Sequence, residues 1–102
     1  MTRQSCHASH VITSFANRTT ERFAVEGKSK FTGMDVAKAM ARLKILNAAS
    51  SLDDIPPLKS VGLHLLVGDR QGQWAMTING PWRLVFRFKD GNAEQVEIVD
   101  YH

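Results

Sequence analysis

The sequence of 102 residues has a single cysteine, Cys6, and no long apolar run. One thiol cannot form a disulfide within the chain, and a lone cysteine is not a zinc-binding pattern. No apolar stretch approaches the ~20 residues of a transmembrane helix, and the first ten residues lack the apolar segment of a signal peptide. We therefore expect a cytoplasmic protein.

Motifs for phosphate loops, nucleophile elbows and zinc sites are also missing, as are internal repeats. Hydrophobic residues nevertheless make up 43% of the chain, which is too many for a disordered protein and enough for one core. Residues 1–10 are polar and unpatterned, so we expect a disordered extension there, followed by one domain over residues 11–102.

Positive charge is concentrated in the first half of the chain. Residues 1–50 hold eight Lys or Arg against three acidic residues, a net charge of +5, whereas residues 51–102 hold five against seven, a net charge of −2. A basic half indicates a polyanionic partner such as RNA. A simple solvated helix surface is the alternative interpretation.

The first half predicts a short strand and two helices. Residues 11–15, "VITSF", are typical of a strand, and Asn17 is a plausible N-cap for a helix that ends at Gly27. Thr32 and Asp35 have the spacing of a capping box at the start of a second helix.

The second helix is expected to bury an apolar stripe and to end near Ala49. The stripe has helical spacing and consists of Val36, Ala37, Met40, Leu43 and Leu46. Three basic residues lie off this stripe and are expected on the surface, where we predict that they bind RNA: Lys38, Arg42 and Lys44.

The hydrophobic period changes to two after a turn-rich connector that contains Pro56-Pro57. Tight turns are predicted at Asn79-Gly80 and Asp90-Gly91. The strands they separate are predicted at 61–68, 72–78, 82–88 and 93–101. This order is typical of an α+β fold in which two N-terminal helices pack on a mainly antiparallel sheet.

Alternation in the strand "WRLVFRF" places Arg83 and Arg87 on one face, opposite the apolar row that begins with Trp82. Two arginines on an open face indicate an anion site, although an ordinary surface is an equal alternative. Arg70, in the connection "GDRQG", would reach a phosphate if its loop overhangs that face. His64, taken alone, is more typical of a partly buried histidine than of a catalytic one.

The last strand delivers Asp100, Tyr101 and His102, which can take part in acid–base chemistry or base stacking. Pairing of that strand would fix their positions to within about 3.4 Å, the rise of one residue. Strict alternation puts Asp100 and His102 on the side opposite Arg83.

Several of these segments occur together in one known family. "LHLLVGDRQGQWAMTINGPWRLVFRFKDG", followed by "VEIVDYH", closely resembles the HigB toxins (host inhibition of growth, or plasmid-maintenance killer) of the RelE-like superfamily. The resemblance covers about residues 11–102. It implies a RelE-like, microbial RNase-type α+β fold.

The resemblance also implies an activity. HigB toxins are ribosome-dependent endoribonucleases that cut mRNA in the ribosomal A site, which inhibits translation and growth. The expected reaction is attack of a ribose 2′-hydroxyl, with no metal or cofactor. The expected partners are the ribosome with mRNA and a helix-turn-helix, HigA-like antitoxin, through which the complex would bind operator DNA.

Carried over by motif, the site consists of His64, Arg83, Asp100, Tyr101 and His102. Arg83 would hold the phosphate, and the two histidines would exchange protons in an order that stays open. Tyr101 would orient or stack on the nucleotide, and Asp100 would hold a histidine. Arg70 and Arg87, together with the basic residues of the second helix, would bind RNA.

One departure from the family keeps an alternative open. Relatives often carry a lysine at the position of Val67, where it would offer a phosphate contact or a proton. The alternative is therefore a catalytically weak or inactive homologue that binds the antitoxin and the ribosome without cutting RNA. A ribonuclease that acts independently of ribosomes ranks last.

Overall fold

Two helices and a four-stranded antiparallel sheet form the structure, a computed structural model that describes residues 12–100. The strands lie in the sheet in their chain order. The elements are α1 (Arg18–Glu26), α2 (Val36–Ala48), β1 (His64–Leu65), β2 (Trp74–Asn79), β3 (Trp82–Lys89) and β4 (Asn92–Asp100). The predicted α+β class is confirmed. Within residues 12–100, no helix combines the length and the apolar character needed to cross a membrane.

α1 begins and ends at the predicted residues. The side chain of Asn17 accepts a hydrogen bond from the backbone N–H of Thr20, and Gly27 ends the helix with φ of 74°. Such a left-handed C-cap favours glycine because it has no Cβ to clash with the preceding carbonyl. Phe23 is fully buried and fixes the helix on the core.

The predicted start of α2 is wrong. The helix is capped by Asp35, whose side chain accepts from the backbone N–H of Lys38, and not by Thr32. Gly33 lies between them with φ of 83°, a conformation that a helix cannot contain. Asn79 holds the cap in place, because its Oδ1 accepts from the Asp35 N–H at 2.7 Å and its Nδ2 donates to the Gly33 carbonyl.

The buried stripe of α2 differs from the predicted one in two respects. Val36 is 44% exposed and Ala37 is also exposed, because the helix starts only at residue 36 and its first turn lies at the rim of the core. The buried positions have the spacing i, i+3, i+4, i+7 and are Ala39, Arg42, Leu43 and Leu46.

Arg42 was predicted on the RNA-binding surface, and this placement is wrong. Its side chain is 8% exposed and points into the protein. Nε donates to the Thr77 carbonyl at 2.8 Å, and Nη2 donates to the Ser60 carbonyl at 3.0 Å. Arg42 therefore joins α2 to β2 and to the connector that precedes β1. Lys38 and Lys44 are exposed, as predicted.

The segment predicted as the first strand contributes two isolated bridges. Ile12 pairs in parallel with Ala93, and Phe15 pairs in parallel with Val96, along the outer edge of β4. The predicted extension over residues 1–10, and Val11, lie outside the described residues.

The strand predicted over residues 61–68 is much shorter than expected. Only His64 and Leu65 pair, with Ala75 and Trp74 of β2. Gly62 and Gly68 have φ of 58° and 75°, and these left-handed residues interrupt the extended backbone on both sides.

The remaining strands form a meander. β2 and β3 are joined through Gly80-Pro81, one residue later than the predicted Asn79-Gly80, because Asn79 still pairs with Trp82. β3 and β4 are joined through the predicted Asp90-Gly91, where both residues have positive φ. Positive φ at both central positions is typical of the hairpin turns that match strand twist.

The sheet buries side chains on both faces. The face towards the helices carries the main core, including Met76, Leu84, Phe86 and Ile98. The opposite face, here called the second face, carries a small apolar cluster. The members of that cluster are Leu66, Ala75, Val85 and Val99.

β4 contains a bulge at Gln95. Val85 faces Glu97 and Arg87 faces Glu94, so β4 has one more residue than β3 in this stretch. Gln95 takes a φ of 52°, which a non-glycine residue seldom adopts. As a result, Ala93 and Val96 both point into the core although they are three residues apart.

Candidate active site

The second face presents two rows of side chains across the strands. Residues that face each other in an antiparallel ladder lie on the same side of the sheet. One row runs through His64, Ala75, Val85 and Glu97. The next runs through Thr77, Arg83 and Val99. The sheet therefore places His64 and Arg83 on the same face.

Arg83 lies near the start of β3, beside the turn to β2. Its Nη1 donates to the Gly80 carbonyl at 2.6 Å and to the Trp82 carbonyl at 3.0 Å. These bonds hold the guanidinium at the end of the sheet. An arginine fixed in this way presents a fork of N–H donors suited to phosphate oxygens.

His64 is exposed on the edge strand, so its interpretation as a partly buried histidine is wrong. Its Nδ1 lies 2.8 Å from the Gly62 carbonyl, and this contact orients the ring. His64 in β1 lies two strands away from β3, and Arg83 lies two residues along β3 from Val85, which is in the same row as His64. The Cα atoms of His64 and Arg83 are therefore about 12 Å apart.

The connection that contains Arg70 overhangs the second face. Its guanidinium forms an ion pair with Glu97 of β4 at 3.3 Å and a hydrogen bond to Gln73. Glu97 also accepts a hydrogen bond from Asn17, the cap of α1. Arg70 is therefore paired with a carboxylate of β4, and not with the neighbouring Asp69.

Arg83 and Arg87 share the second face, as predicted, but they do not converge. Four residues of strand separate them, which corresponds to roughly 13 Å. Val85 lies between them and is fully buried under Leu66. Arg87 occupies the other end of β3, where its Nε donates to Gln95 at 3.3 Å. The two arginines therefore lie too far apart to bind the same phosphate group.

Asp100 faces Trp82 at the end of β4 and so lies on the helix side of the sheet. Its predicted side is therefore confirmed. The neighbouring pair, Val99 and Arg83, lies on the second face. The chain thus leaves the described region directly beside Trp82 and Arg83. The predicted roles of Tyr101 and His102 concern residues outside the described ones.

Four exposed basic residues that were not predicted as site residues line a cavity of about 430 Å³. They are Arg18 and Arg22 of α1, and Lys28 and Lys30 of the segment that follows α1. The sequence contains a signal for them, since Arg18 and Arg22 are four residues apart on a capped helix and "GKSKF" is basic.

No cluster of His, Cys, Asp or Glu side chains able to hold a metal ion occurs in residues 12–100. On the second face near this end of the sheet, Arg83 and His64 supply nitrogen groups. Such groups can bind an anion and exchange a proton.

Comparison with known proteins agrees with this arrangement. Residues 13–102 match the family described as RelE-like toxin of type II toxin-antitoxin system HigB, and the chain belongs to this family. The resemblance predicted from the motifs is thereby confirmed, and membership implies an antitoxin as partner. Over 93 residues the chain is 30% identical to Endoribonuclease HigB from Proteus vulgaris, a match that covers 90% of this chain and 100% of that protein.

Proposed function

We propose that this toxin is an endoribonuclease that cuts mRNA in the ribosomal A site and thereby stops translation in the cytoplasm. The ribose 2′-hydroxyl attacks the adjacent phosphorus, and the 5′-oxygen of the next nucleotide leaves. The products are a 2′,3′-cyclic phosphate and a free 5′-hydroxyl. The reaction needs a base, an acid and positive charge at the phosphorus.

The observation that carries this proposal is the match to a relative named as an endoribonuclease, which extends over the whole length of that relative. The position of Arg83 agrees with it. The guanidinium is held at the end of the sheet by two backbone carbonyls and lies beside the last residues of β4. A phosphate bound there would lie next to Val99, which faces Arg83 on the second face.

In the proposed mechanism, Arg83 binds the scissile phosphate and stabilises the charge of the phosphorane. His64 and His102 act as the acid–base groups, Asp100 holds a histidine, and Tyr101 stacks on or orients the nucleotide. His64 lies on the same face as Arg83, about 12 Å away, a separation that a nucleotide can bridge.

Further RNA contacts are assigned to Lys38 and Lys44 on α2 and to Arg87 at the far end of β3. These side chains are exposed. Arg42 is excluded from this set by its burial. Arg70 belongs to the proposed set, because its loop overhangs the second face and its ion pair with Glu97 is partly exposed. The partners we propose are the ribosome and a helix-turn-helix, HigA-like antitoxin, whose complex with this chain binds operator DNA through the antitoxin.

Primer extension on mRNA after induction tests the proposed reaction. We expect new 5′ ends inside codons with the wild type and none with Arg83→Ala. The control is copurification of Arg83→Ala with the antitoxin, which shows that the variant is folded. If the wild type arrests growth without new mRNA ends, the proposed cleavage is wrong.

The alternative, a weak or inactive toxin that only binds, depends on Val67. This residue is 79% exposed beside the turn Gly68–Arg70, so an apolar side chain occupies a position open to solvent. Val67→Lys separates the two functions. If the wild type produces no mRNA ends and the lysine variant does, the natural chain acts by binding.

A further inference from the structure

A basic cavity lies between α1 and the segment that connects it to α2. It measures about 430 Å³ and is lined by Arg18, Thr19, Arg22, Lys28 and Lys30. Four of these five side chains are cationic, and all five residues are exposed.

The first turn of α1 is attached to the end of β4. Thr20 Oγ1 accepts a hydrogen bond of 3.0 Å from the backbone N–H of Ile98, and Asn17 donates to Glu97. Arg18 and Thr19 lie between these two anchors in the chain. One wall of the cavity therefore adjoins the strand that ends at Asp100.

The other wall adjoins the beginning of β3. Phe31 follows directly after Lys30, and its ring packs edge-on against Trp82 with the ring centroids 5.4 Å apart. Trp82 precedes Arg83 and faces Asp100. The cavity therefore lies near the end of the sheet at which we place the scissile phosphate, next to Trp82 on the helix side, whereas Arg83 is on the second face.

The cavity is predominantly cationic, although Glu21 and Glu26 lie on the adjoining surface, where they line a second concavity with Arg18 and Arg22. None of its lining residues, among those that the structure describes, is acidic. Lys28 has a contact to Glu26, but the two atoms are 3.8 Å apart and the side chains are 75% and 44% exposed. Such an exposed ion pair neutralises the charge of Lys28 only weakly. Four cations in one concave surface repel each other, and a bound polyanion relieves that repulsion.

The lining favours a nucleic acid over a protein. Protein interfaces are anchored by aromatic or aliphatic side chains in desolvated pockets, and Thr19 is the only uncharged lining residue among those described. An RNA backbone needs no such anchor, because its phosphates bind to Lys and Arg with release of counterions.

We propose that the basic cavity binds the phosphodiester backbone of an RNA strand next to the nucleotide held by Arg83. This proposal rests on the proposed function, since it takes the end of the sheet as the cleavage site. The cavity adds affinity for RNA irrespective of sequence, and it takes no part in the chemical step.

The test compares two matched pairs of substitutions in the full chain. Lys28→Gln with Lys30→Gln removes two charges from the cavity. Lys59→Gln with Lys89→Gln removes two charges from other exposed positions and is the control. The probe is a short fluorescent single-stranded RNA with 2′-O-methyl riboses, which the proposed reaction cannot cut.

For the cavity pair we expect the Kd for this RNA to rise about tenfold. The negative slope of log association constant against log salt concentration should become shallower by about 1.4, as for two lost phosphate contacts. The control pair should change neither. On programmed ribosomes, the cavity pair should raise KM and leave kcat unchanged. A parallel loss of affinity for ribosomes without mRNA would identify the bound strand as ribosomal RNA.

Equal affinity and equal salt slope for the two pairs would overturn the proposal, as would a loss of antitoxin binding with RNA affinity retained. Either result is compatible with cleavage of mRNA by the wild type. Conversely, a wild type that cuts no mRNA would refute the proposed function, while the probe, which is not cut, would still report on the cavity.

Discussion

Arg42 of α2 donates a hydrogen bond of 2.8 Å from Nε to the main-chain carbonyl of Thr77 in β2. Its Nη2 bonds the Ser60 carbonyl as well. We therefore expect Arg42→Ala to lower the free energy of unfolding by about 3 kcal/mol, because two carbonyls lose charged donors in a buried position. Urea denaturation measures this loss.

Lys38→Ala is the control for this experiment, because Lys38 is an exposed cation on the same helix. It should change the stability by no more than about 0.5 kcal/mol. Equal losses for the two variants would show that the buried hydrogen bonds of Arg42 have no net effect on stability.

Gly72 supports the position of Arg87. A Cβ on Gly72 would lie 2.8 Å from Arg87 Nη1, and Gly72 has φ of 91°. Gly68 has φ of 75° with open space around the Cβ position, so it is a matched control. Either Gly→Ala substitution should cost about 1 kcal/mol through the left-handed backbone.

Only Gly72→Ala should move the guanidinium of Arg87. Because the end of this side chain is flexible, we expect the clash to be relieved by movement and not by a further loss of stability. The NMR signal of the Arg87 Nε–H group, which donates to Gln95, should shift in Gly72→Ala and stay in place in Gly68→Ala. Equal behaviour of that signal in both variants would contradict the role of Gly72.

The ion pair between Arg70 and Glu97 should stabilise the loop on the second face modestly. The two side chains are 30% and 24% exposed. A double-mutant cycle with Arg70→Ala and Glu97→Ala should give a coupling energy of about 0.5–1 kcal/mol that decreases with added salt. A coupling of zero at low salt would mean that the 3.3 Å contact is not maintained in solution.

A tag fused after His102 should reduce growth arrest strongly. Asp100 faces Trp82 beside Arg83, so added residues would crowd the proposed cleavage site. The same tag fused at the N-terminus is the control. Full toxicity of the C-terminally tagged protein, measured by growth after induction, would exclude His102 as an acid–base group.

Much of the architecture was predictable, because most local signals agree with the fold. Asn17 and Gly27 bound α1, and Asp90-Gly91 forms the last turn, as their residue types indicate. The alternation in β3 correctly separated the core side from the side of Arg83. In each case the residues that carry the signal are also the ones that make the local contact.

Two of the errors, the surface position of Arg42 and the cap of α2, share a physical cause, since both depend on contacts distant in sequence. The local sequence indicates that Arg42 is a surface cation, because the carbonyl that its guanidinium binds belongs to β2, 35 residues later in the chain. Asp35 becomes the cap of α2 because Asn79, 44 residues away, fixes its backbone. The structure places the site residues Arg83 and His64 on the same face. The assignment of Tyr101 and His102 to the site rests on the family motif alone.

The bulge at Gln95 determines which of the later residues of β4 face the core and which face the opposite side. Its extra residue lets Ala93 and Val96 both face the core, and from Val96 onward the alternation is inverted relative to the beginning of the strand. If Gln95 occupied a regular position in the strand instead of the bulge, strict alternation from Ala93 would turn Ile98 towards the second face and Glu97 towards the core. The side of the sheet on which Asp100 lies therefore depends on the bulge at Gln95, five positions earlier in β4.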